Sequence, residues 1–131
     1  MSHSDTIAAV ATPPGEGAIA LVRISGPNAH AIASQIFEPF IAKSKIIHRK
    51  ATYGRIHENG VTLDQVLLTT FKAPSSFTGE DMAEISCHGG ILLSARTLEL
   101  ALRAGARAAE PGEFSQRAFY NGKIDLTRAE A

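Results

Sequence analysis

The chain has 131 residues, of which 44% are hydrophobic and 20% charged, so it is long enough to bury a real core in one globular domain. Its 13 basic and 13 acidic residues give a formal net charge of zero, which argues against a surface that coats nucleic acid or binds an anionic membrane. One cysteine excludes an intrachain disulfide, no run approaches 18 apolar residues, and no secretory signal pattern begins the chain, so we expect a cytoplasmic protein without a membrane span.

The first third of the chain predicts two strands and a helix. The strands cover 5–11 and 18–25, and the turn cluster at 12–17 between them suggests a hairpin. The helix has Pro27 at its first position and is stopped by Pro39. Its apolar stripe comprises Ala29, Ile32, Ala33, Ile36 and Phe37.

The middle third predicts a loop followed by three strands. The basic stretch 41–50 has no clear periodicity and is interpreted as the loop. The first two strands, 52–58 and 63–72, flank an Asn-Gly dipeptide that is a strong hairpin signal. The third strand lies within the polar stretch 77–90.

The last third predicts a helix over 90–104, a short strand over 107–109 and a helix opened by Pro111. The expected apolar positions are Ile91, Ala95, Leu98 and Leu102 in the first of these helices, and Phe114, Ala118 and Phe119 in the second. Residues 125–131 have the pattern of another helix start, so we assign 1–122 to one domain and 123–131 to the beginning of the next. The order of elements predicts an α+β (mixed α/β) domain, a mixed sheet with helices packed on one side.

The stretch 77–90 carries the most unusual polar residue, a carboxylate in the middle of a strand. Strand alternation puts Glu84 on one face together with Met82, Ser86 and His88. A carboxylate offers two acceptors side by side, which suit two adjacent N–H donors on a planar ligand such as a pterin or a guanine edge. The alternative is a structural pairing with Arg23 or another basic residue.

Two basic residues, Arg23 and Lys123, are considered both as ligand contacts and as structural or surface residues. Arg23 lies in an otherwise apolar strand, where its guanidinium needs a carboxylate, a phosphate or carbonyl groups; it could also reach solvent or close a structural ion pair. Lys123 follows a helix end and, from its pattern alone, is interpreted as a solvated surface lysine.

The remaining reactive side chains do not form a catalytic pattern. Cys87 and His88 are adjacent in a strand and point to opposite faces, which favours a buried structural cysteine over a nucleophile and its base. The sequence at 88–90 could form an anion-binding turn at a helix start. The five histidines lack metal-ligand spacing, and we expect neither a catalytic residue nor a metal site in this chain.

Several short blocks, spread over nearly the whole chain, form a distinctive ordered set. They are Asp5-Thr6-Ile7-Ala8-Ala9, Ala11-Thr12-Pro13-Pro14-Gly15, Val22-Arg23-Ile24-Ser25-Gly26, Phe77-Thr78-Gly79-Glu80-Asp81, Cys87-His88-Gly89-Gly90, Pro111-Gly112-Glu113-Phe114, Arg117-Ala118-Phe119 and Asn121-Gly122-Lys123-Ile124-Asp125-Leu126. Taken together and in this order, the blocks resemble the N-terminal domain of the tRNA-modification GTPase family MnmE, also called TrmE.

This resemblance implies a fold similar to the folate-binding domain of aminomethyltransferases, a 5-formyl-tetrahydrofolate-type cofactor and homodimerisation. The family's folate contacts fall on Arg23, Glu84 and Lys123, each with the matching residue type. The implied full-length protein is a GTP hydrolase that uses Mg²⁺ and K⁺ in a domain outside this chain, so the chain alone is not expected to hydrolyse GTP.

The implied substrate is tRNA, with a flavoprotein partner named MnmG or GidA. The implied reaction places carboxymethylaminomethyl or aminomethyl groups on C5 of the wobble uridine, position 34. Two alternatives stay open: a purely structural dimerisation module in which Arg23 and Glu84 merely pair, and a one-carbon transferase, for which no convincing nucleophile or acid–base pair is visible.

Overall fold

The computed structural model describes residues 5–11, 19–41, 45–88 and 90–123. Within them the strands are β1 (Ile7–Val10), β2 (Ala20–Ser25), β3 (Phe37–Pro39), β4 (Thr52–Glu58), β5 (Val61–Phe71), β6 (Met82–Cys87) and β7 (Arg107–Ala108). The helices are α1 (Ala29–Ile36), α2 (Gly90–Arg103) and α3 (Glu113–Tyr120).

The strands form one mixed sheet in the order β3-β4-β5-β6-β2-β1-β7. β1 and β7 pair in parallel, and the other neighbours are antiparallel. This arrangement confirms the α+β class and the pairing of the first two strands. The turn predicted at 12–17 and the helix start predicted at 125–131 lie outside the described residues.

One face of the sheet carries the main hydrophobic core. Alternate residues of the central strands, such as Val22, Ile24, Ile85 and Cys87, are fully buried there together with apolar residues of α1 and α2. The other face carries Arg23 and Glu84, because strand alternation turns their side chains away from this core. The sheet therefore separates the apolar core from the polar candidate site.

The prediction that all helices pack on one side of the sheet is wrong for α3. Ser25, on the face opposite the core, donates a hydrogen bond to Glu80 in the β5–β6 loop at 2.7 Å. Glu80 in turn accepts from Arg117 of α3, and the Phe114 ring lies 5.9 Å from the guanidinium carbon of Arg23. Polar contacts and an aromatic contact, rather than an apolar stripe, bring α3 to this second face.

The buried face of α2 also differs from the predicted one. Ile91 is 67% exposed, Ala95 is exposed, and Leu98 and Leu102 are only partly buried, whereas the residues that are buried are Ser94, Thr97, Leu100 and Ala101. Ser94 donates to the Ile91 carbonyl at 3.0 Å and Thr97 to the Leu93 carbonyl at 2.8 Å. Since these hydroxyls are satisfied within the helix, they can face the sheet without an unpaired polar group.

The end of α1 was also predicted incorrectly. The helix begins at Ala29, after Pro27, and stops at Ile36, so Phe37 and Pro39 belong to β3 instead. Phe37 pairs with Ile56 and packs over Gly54, where an added Cβ would come 2.4 Å from the Phe37 ring. Phe37 is buried as expected, but in a strand, because a glycine in β4 leaves room for its ring.

α3 is held by ion pairs rather than by its aromatic residues. Of the three residues expected to be buried, only Ala118 is fully so, while Phe119 is 37% exposed. Arg117 is fully buried and donates to the carboxylates of Asp5 at 2.5 Å, Glu80 at 3.1 Å and Glu113 at 3.5 Å. We call these four residues and Arg107 the Arg117 cluster.

Arg107 completes the cluster from β7. It donates to Asp5 at 2.7 Å and to Glu113 at 2.6 Å. These hydrogen bonds are the main reason that the pKa of the Asp5 carboxyl and that of the Glu113 carboxyl lie below their ordinary values of 3.8 and 4.5. The cluster thus joins the start of β1, the β5–β6 loop, β7 and α3 through charged groups.

The cluster predicts that acid destabilises the fold. Because Asp5 and Glu113 titrate at lower pH in the folded state, the folded protein binds fewer protons, and stability is lost as pH falls through their folded pKa values. Urea unfolding should show a free energy that declines below about pH 4.5. The Asp5→Asn/Glu113→Gln variant should be less stable at pH 7 and show a flatter decline; an equally steep decline in that variant would contradict this role.

Candidate functional site

A cavity of about 440 Å³ opens on the second face of the sheet, beside the β5–β6 loop. Its volume falls in the range of small-molecule sites. It is lined by Arg49, Phe71, Ser75, Ser76, Phe77, Met82, Glu84 and Lys123. Of the three predicted site residues, Glu84 and Lys123 therefore line one pocket, and Arg23 reaches it through its bond to Glu84.

Arg23 and Glu84 face each other across β2 and β6. They are register partners, and both Nε and Nη2 of Arg23 lie 2.8 Å from the same carboxylate oxygen, Oε2 of Glu84. The side chains remain 23% and 21% exposed. The structural pairing considered from the sequence is thus present, but the pair borders an open cavity and does not fill a closed core.

The pairing leaves the other oxygen of Glu84 available. Arg23 takes up Oε2, while Oε1 has no hydrogen-bond partner within the described part of the chain. Arg23 neutralises the carboxylate and orients it, so Glu84 can present Oε1 to N–H groups in the pocket. The two lone pairs of this oxygen can accept from donors on the edge of a planar ligand.

Aromatic rings surround this pair. The Phe77 ring centre lies 5.2 Å from the guanidinium carbon of Arg23, within cation–π range. Phe71 and Phe77 also line the cavity, and Phe77 is 43% exposed. The pocket therefore combines flat apolar surfaces with a charged, hydrogen-bonding floor, as ligand sites for heteroaromatic rings do.

Lys123 reaches the pocket because the end of α3 is tied to the β5–β6 loop. Asn121 donates to the carbonyls of Thr78 at 2.8 Å and Arg117 at 3.0 Å. Lys123 Nζ then donates to the Pro74 carbonyl at 3.1 Å, which leaves two further ammonium protons for other acceptors. The interpretation of Lys123 as an ordinary surface lysine is incomplete, since it is exposed but lies at the cavity.

Two residues that matter to this geometry were missed in the sequence. The sequence pattern indicates only a helix end at Asn121 and only a basic loop around Arg49. The Glu113–Arg117 spacing of four residues on one helix was the available signal for an ion pair near the site. No local pattern links Arg49 to Glu84, because the two residues are far apart in the sequence. Only the long-range pairing of strands brings them to one cavity.

Cys87 and His88 do not act together. Cys87 is fully buried in the core, with its sulfur 3.7 Å from Thr97 Oγ1, and burial raises the pKa of its thiol. His88 is exposed at the end of β6. Gly89 lies outside the described residues, so the anion-binding turn considered at 88–90 stays a prediction.

The burial of Cys87 predicts slow thiol chemistry. The thiolate is the reactive form, and both the raised pKa and the lack of access disfavour it. Alkylation by iodoacetamide at pH 8 should be at least about a hundredfold slower in the native protein than in urea, since it needs local opening. Equal rates in the two states would contradict the buried position.

The described residues contain no group of three or more histidine, cysteine, aspartate or glutamate side chains arranged for a metal ion. Within the same residues, no helix is long and apolar enough to cross a bilayer.

Comparison with known proteins gives a consistent family. The model described as "GTP-binding protein TrmE N-terminus" matches residues 6–123. The chain is 56% identical over 127 residues to "tRNA modification GTPase MnmE" of Thermotoga maritima, which covers 97% of this chain and 28% of that protein. Proteins of the same name from Chloroflexus aurantiacus and Chlamydia trachomatis serovar L2 are 55% and 53% identical, over 98% and 100% of this chain.

The chain spans between a quarter and a third of the length of these curated relatives, and their similarity to it extends over nearly all of its residues. With the family model matching 6–123, the chain belongs to the family of TrmE N-terminal domains, as the resemblance in its sequence blocks predicted.

Proposed function

We propose that the cavity beside Glu84 binds a 5-formyl-tetrahydrofolate-type cofactor. The observation that carries this proposal is the Arg23–Glu84 pair, in which one carboxylate oxygen is engaged and the other is available toward an open pocket. The pterin ring presents adjacent N–H donors in a plane, and the two lone pairs of the available oxygen can accept from them.

The rest of the cavity supports the same ligand. Phe71 and Phe77 offer apolar surface for a flat ring and its aromatic extension. Lys123 brings a cation whose free protons suit a carbonyl or carboxylate group of the cofactor. The purely structural alternative accounts for the Arg23–Glu84 pair, but it leaves this lined cavity without an explanation.

For the full-length protein we propose the activity named in the relatives, a GTPase that modifies tRNA. We propose that GTP, Mg²⁺ and K⁺ bind in a domain outside this chain, and that an MnmG-type flavoprotein is the partner. The product is a carboxymethylaminomethyl or aminomethyl group on C5 of uridine 34, made in the cytoplasm. In this scheme the present domain holds the one-carbon donor and joins two copies of the protein.

The folate proposal predicts the effect of Glu84→Gln. The change keeps the shape of the side chain but removes its charge and replaces one acceptor with a donor, so calorimetric titration with 5-formyl-tetrahydrofolate should show affinity reduced by at least about tenfold. The matched control is Glu38→Gln, since Glu38 and Arg55 form a comparable cross-strand pair away from the cavity. Glu38→Gln should bind as the wild type does.

A wild-type protein that binds no folate would refute the cofactor proposal outright. In the full-length protein, Glu84→Gln should leave GTP hydrolysis intact and lower C5 modification of uridine 34. Loss of both activities together would indicate a folding defect, which circular dichroism of the variant would reveal.

For self-association we propose the apolar surface near β3 and the start of β4. Phe40, Ile41, Ile47 and Tyr53 are between 44% and 76% exposed and surround a shallow cavity of about 330 Å³. Exposed apolar side chains gathered in this way are typical of interaction surfaces.

This surface predicts that Ile41→Glu/Ile47→Glu weakens the dimer, because it buries charge in an apolar contact. Sedimentation velocity should show a shift toward monomer. Leu92→Glu is the control, since Leu92 is 84% exposed on α2, outside this surface. A monomer produced by Leu92→Glu alone would assign the contact to α2 instead.

A further inference from the structure

Arg49 lines the same cavity as Glu84 and Lys123. Its guanidinium is exposed and has no hydrogen bond or ion pair to any residue that the structure describes. Other cations near the cavity are engaged: Arg23 binds Glu84, and Lys123 donates to the Pro74 carbonyl. Arg49 thus has the largest unused hydrogen-bonding capacity at the pocket.

The backbone around Arg49 is held in a conformation that few side chains adopt. Its φ is 70°, in the left-handed region, where glycine or asparagine would be less strained. The Arg49 amide donates to the Thr70 carbonyl at 2.7 Å, on β5 just beyond the Thr52–Leu68 register pair with β4. A neighbouring bond, between His48 Nδ1 and Thr70 Oγ1 at 2.8 Å, fixes the same turn.

These bonds position a strained arginine at the rim of a ligand cavity. A backbone outlier that the surrounding structure holds in place is a reason to look for function in its side chain. The turn itself does not require the guanidinium of Arg49. The planar fork of donors in this group is suited to binding a carboxylate.

The charges of the cavity divide it into two parts. Glu84, with Arg23 behind it, offers acceptors for a donor-rich ring, whereas Arg49 and Lys123 provide positive charge. We infer that Arg49 binds a carboxylate in the glutamyl tail of the folate-type ligand, so that it selects tail-bearing, anionic forms of the cofactor. This inference rests on the proposed folate site.

The test compares two ligands on the full-length protein by calorimetry. One is 5-formyl-tetrahydrofolate, and the other is its neutral analogue with both glutamyl carboxylates converted to amides. The wild type should bind the diamide about tenfold more weakly, the loss expected for one charge-assisted hydrogen bond. Arg49→Gln should bind the acid about tenfold more weakly than the wild type does and should no longer distinguish the two ligands.

Two further variants separate a specific contact from a general charge effect. Lys50→Gln removes the adjacent positive charge, which lies outside this cavity, and should keep the wild-type preference for the acid. Arg49→Lys should restore part of that preference. The assignment would be overturned if Arg49→Gln kept the preference for the acid. If Lys123→Gln then abolished that preference, the carboxylate contact would belong to Lys123 instead.

The proposed folate site and this inference fail in different ways. If neither ligand binds the wild type, the folate site itself is wrong. If both ligands bind the wild type and Glu84→Gln weakens both equally, while Arg49→Gln changes neither, the folate site stands and only the role of Arg49 is wrong.

Discussion

The buried guanidinium of Arg117 is the interaction on which the second face of the sheet depends. It is fully buried and contacts carboxylates from three separate segments, those of Asp5, Glu80 and Glu113. A buried charge of this kind is tolerated only when its partners are in place, and loss of one partner typically costs about 3–5 kcal/mol. Since α3 has few buried apolar residues, this cluster, more than hydrophobic packing, joins the helix to the sheet.

The pocket beside Glu84 lies next to this attachment. Met82 is only 1% exposed, while Glu84, two residues further along the same strand face, stays partly open. Asn121 extends this attachment to the end of the helix by its hydrogen bond to the Thr78 carbonyl. This places Lys123 where it donates to the Pro74 carbonyl at the cavity. One ionic cluster therefore supports two features that a ligand would meet, the partly covered pair Arg23–Glu84 and the lysine at the rim.

The sequence patterns predicted most of the sheet correctly and the helix faces less well. Strand alternation correctly separated Glu84 from Cys87, which the structure shows in the core, because a period of two leaves little freedom once strands pair. The stripe predicted for α2 failed because Ser94 and Thr97 satisfy their hydroxyls within the helix and can be buried, while Ile91 is left outside. The failure at α3 has a related cause, since ion pairs bury Glu113 and Arg117 where an apolar face was expected.

The sequence by itself determined the family, the α+β class and the three residues proposed to contact the cofactor, since these follow from ordered blocks and from strand periodicity. Only the tertiary structure decided that Arg23 engages one oxygen of Glu84 and leaves the other available, and that Arg49 shares their cavity. The physical reason is separation along the chain. Arg23 and Glu84 are 61 residues apart, and long-range strand pairing together with a buried ion cluster, neither of which leaves a local signature, brings these groups to one site.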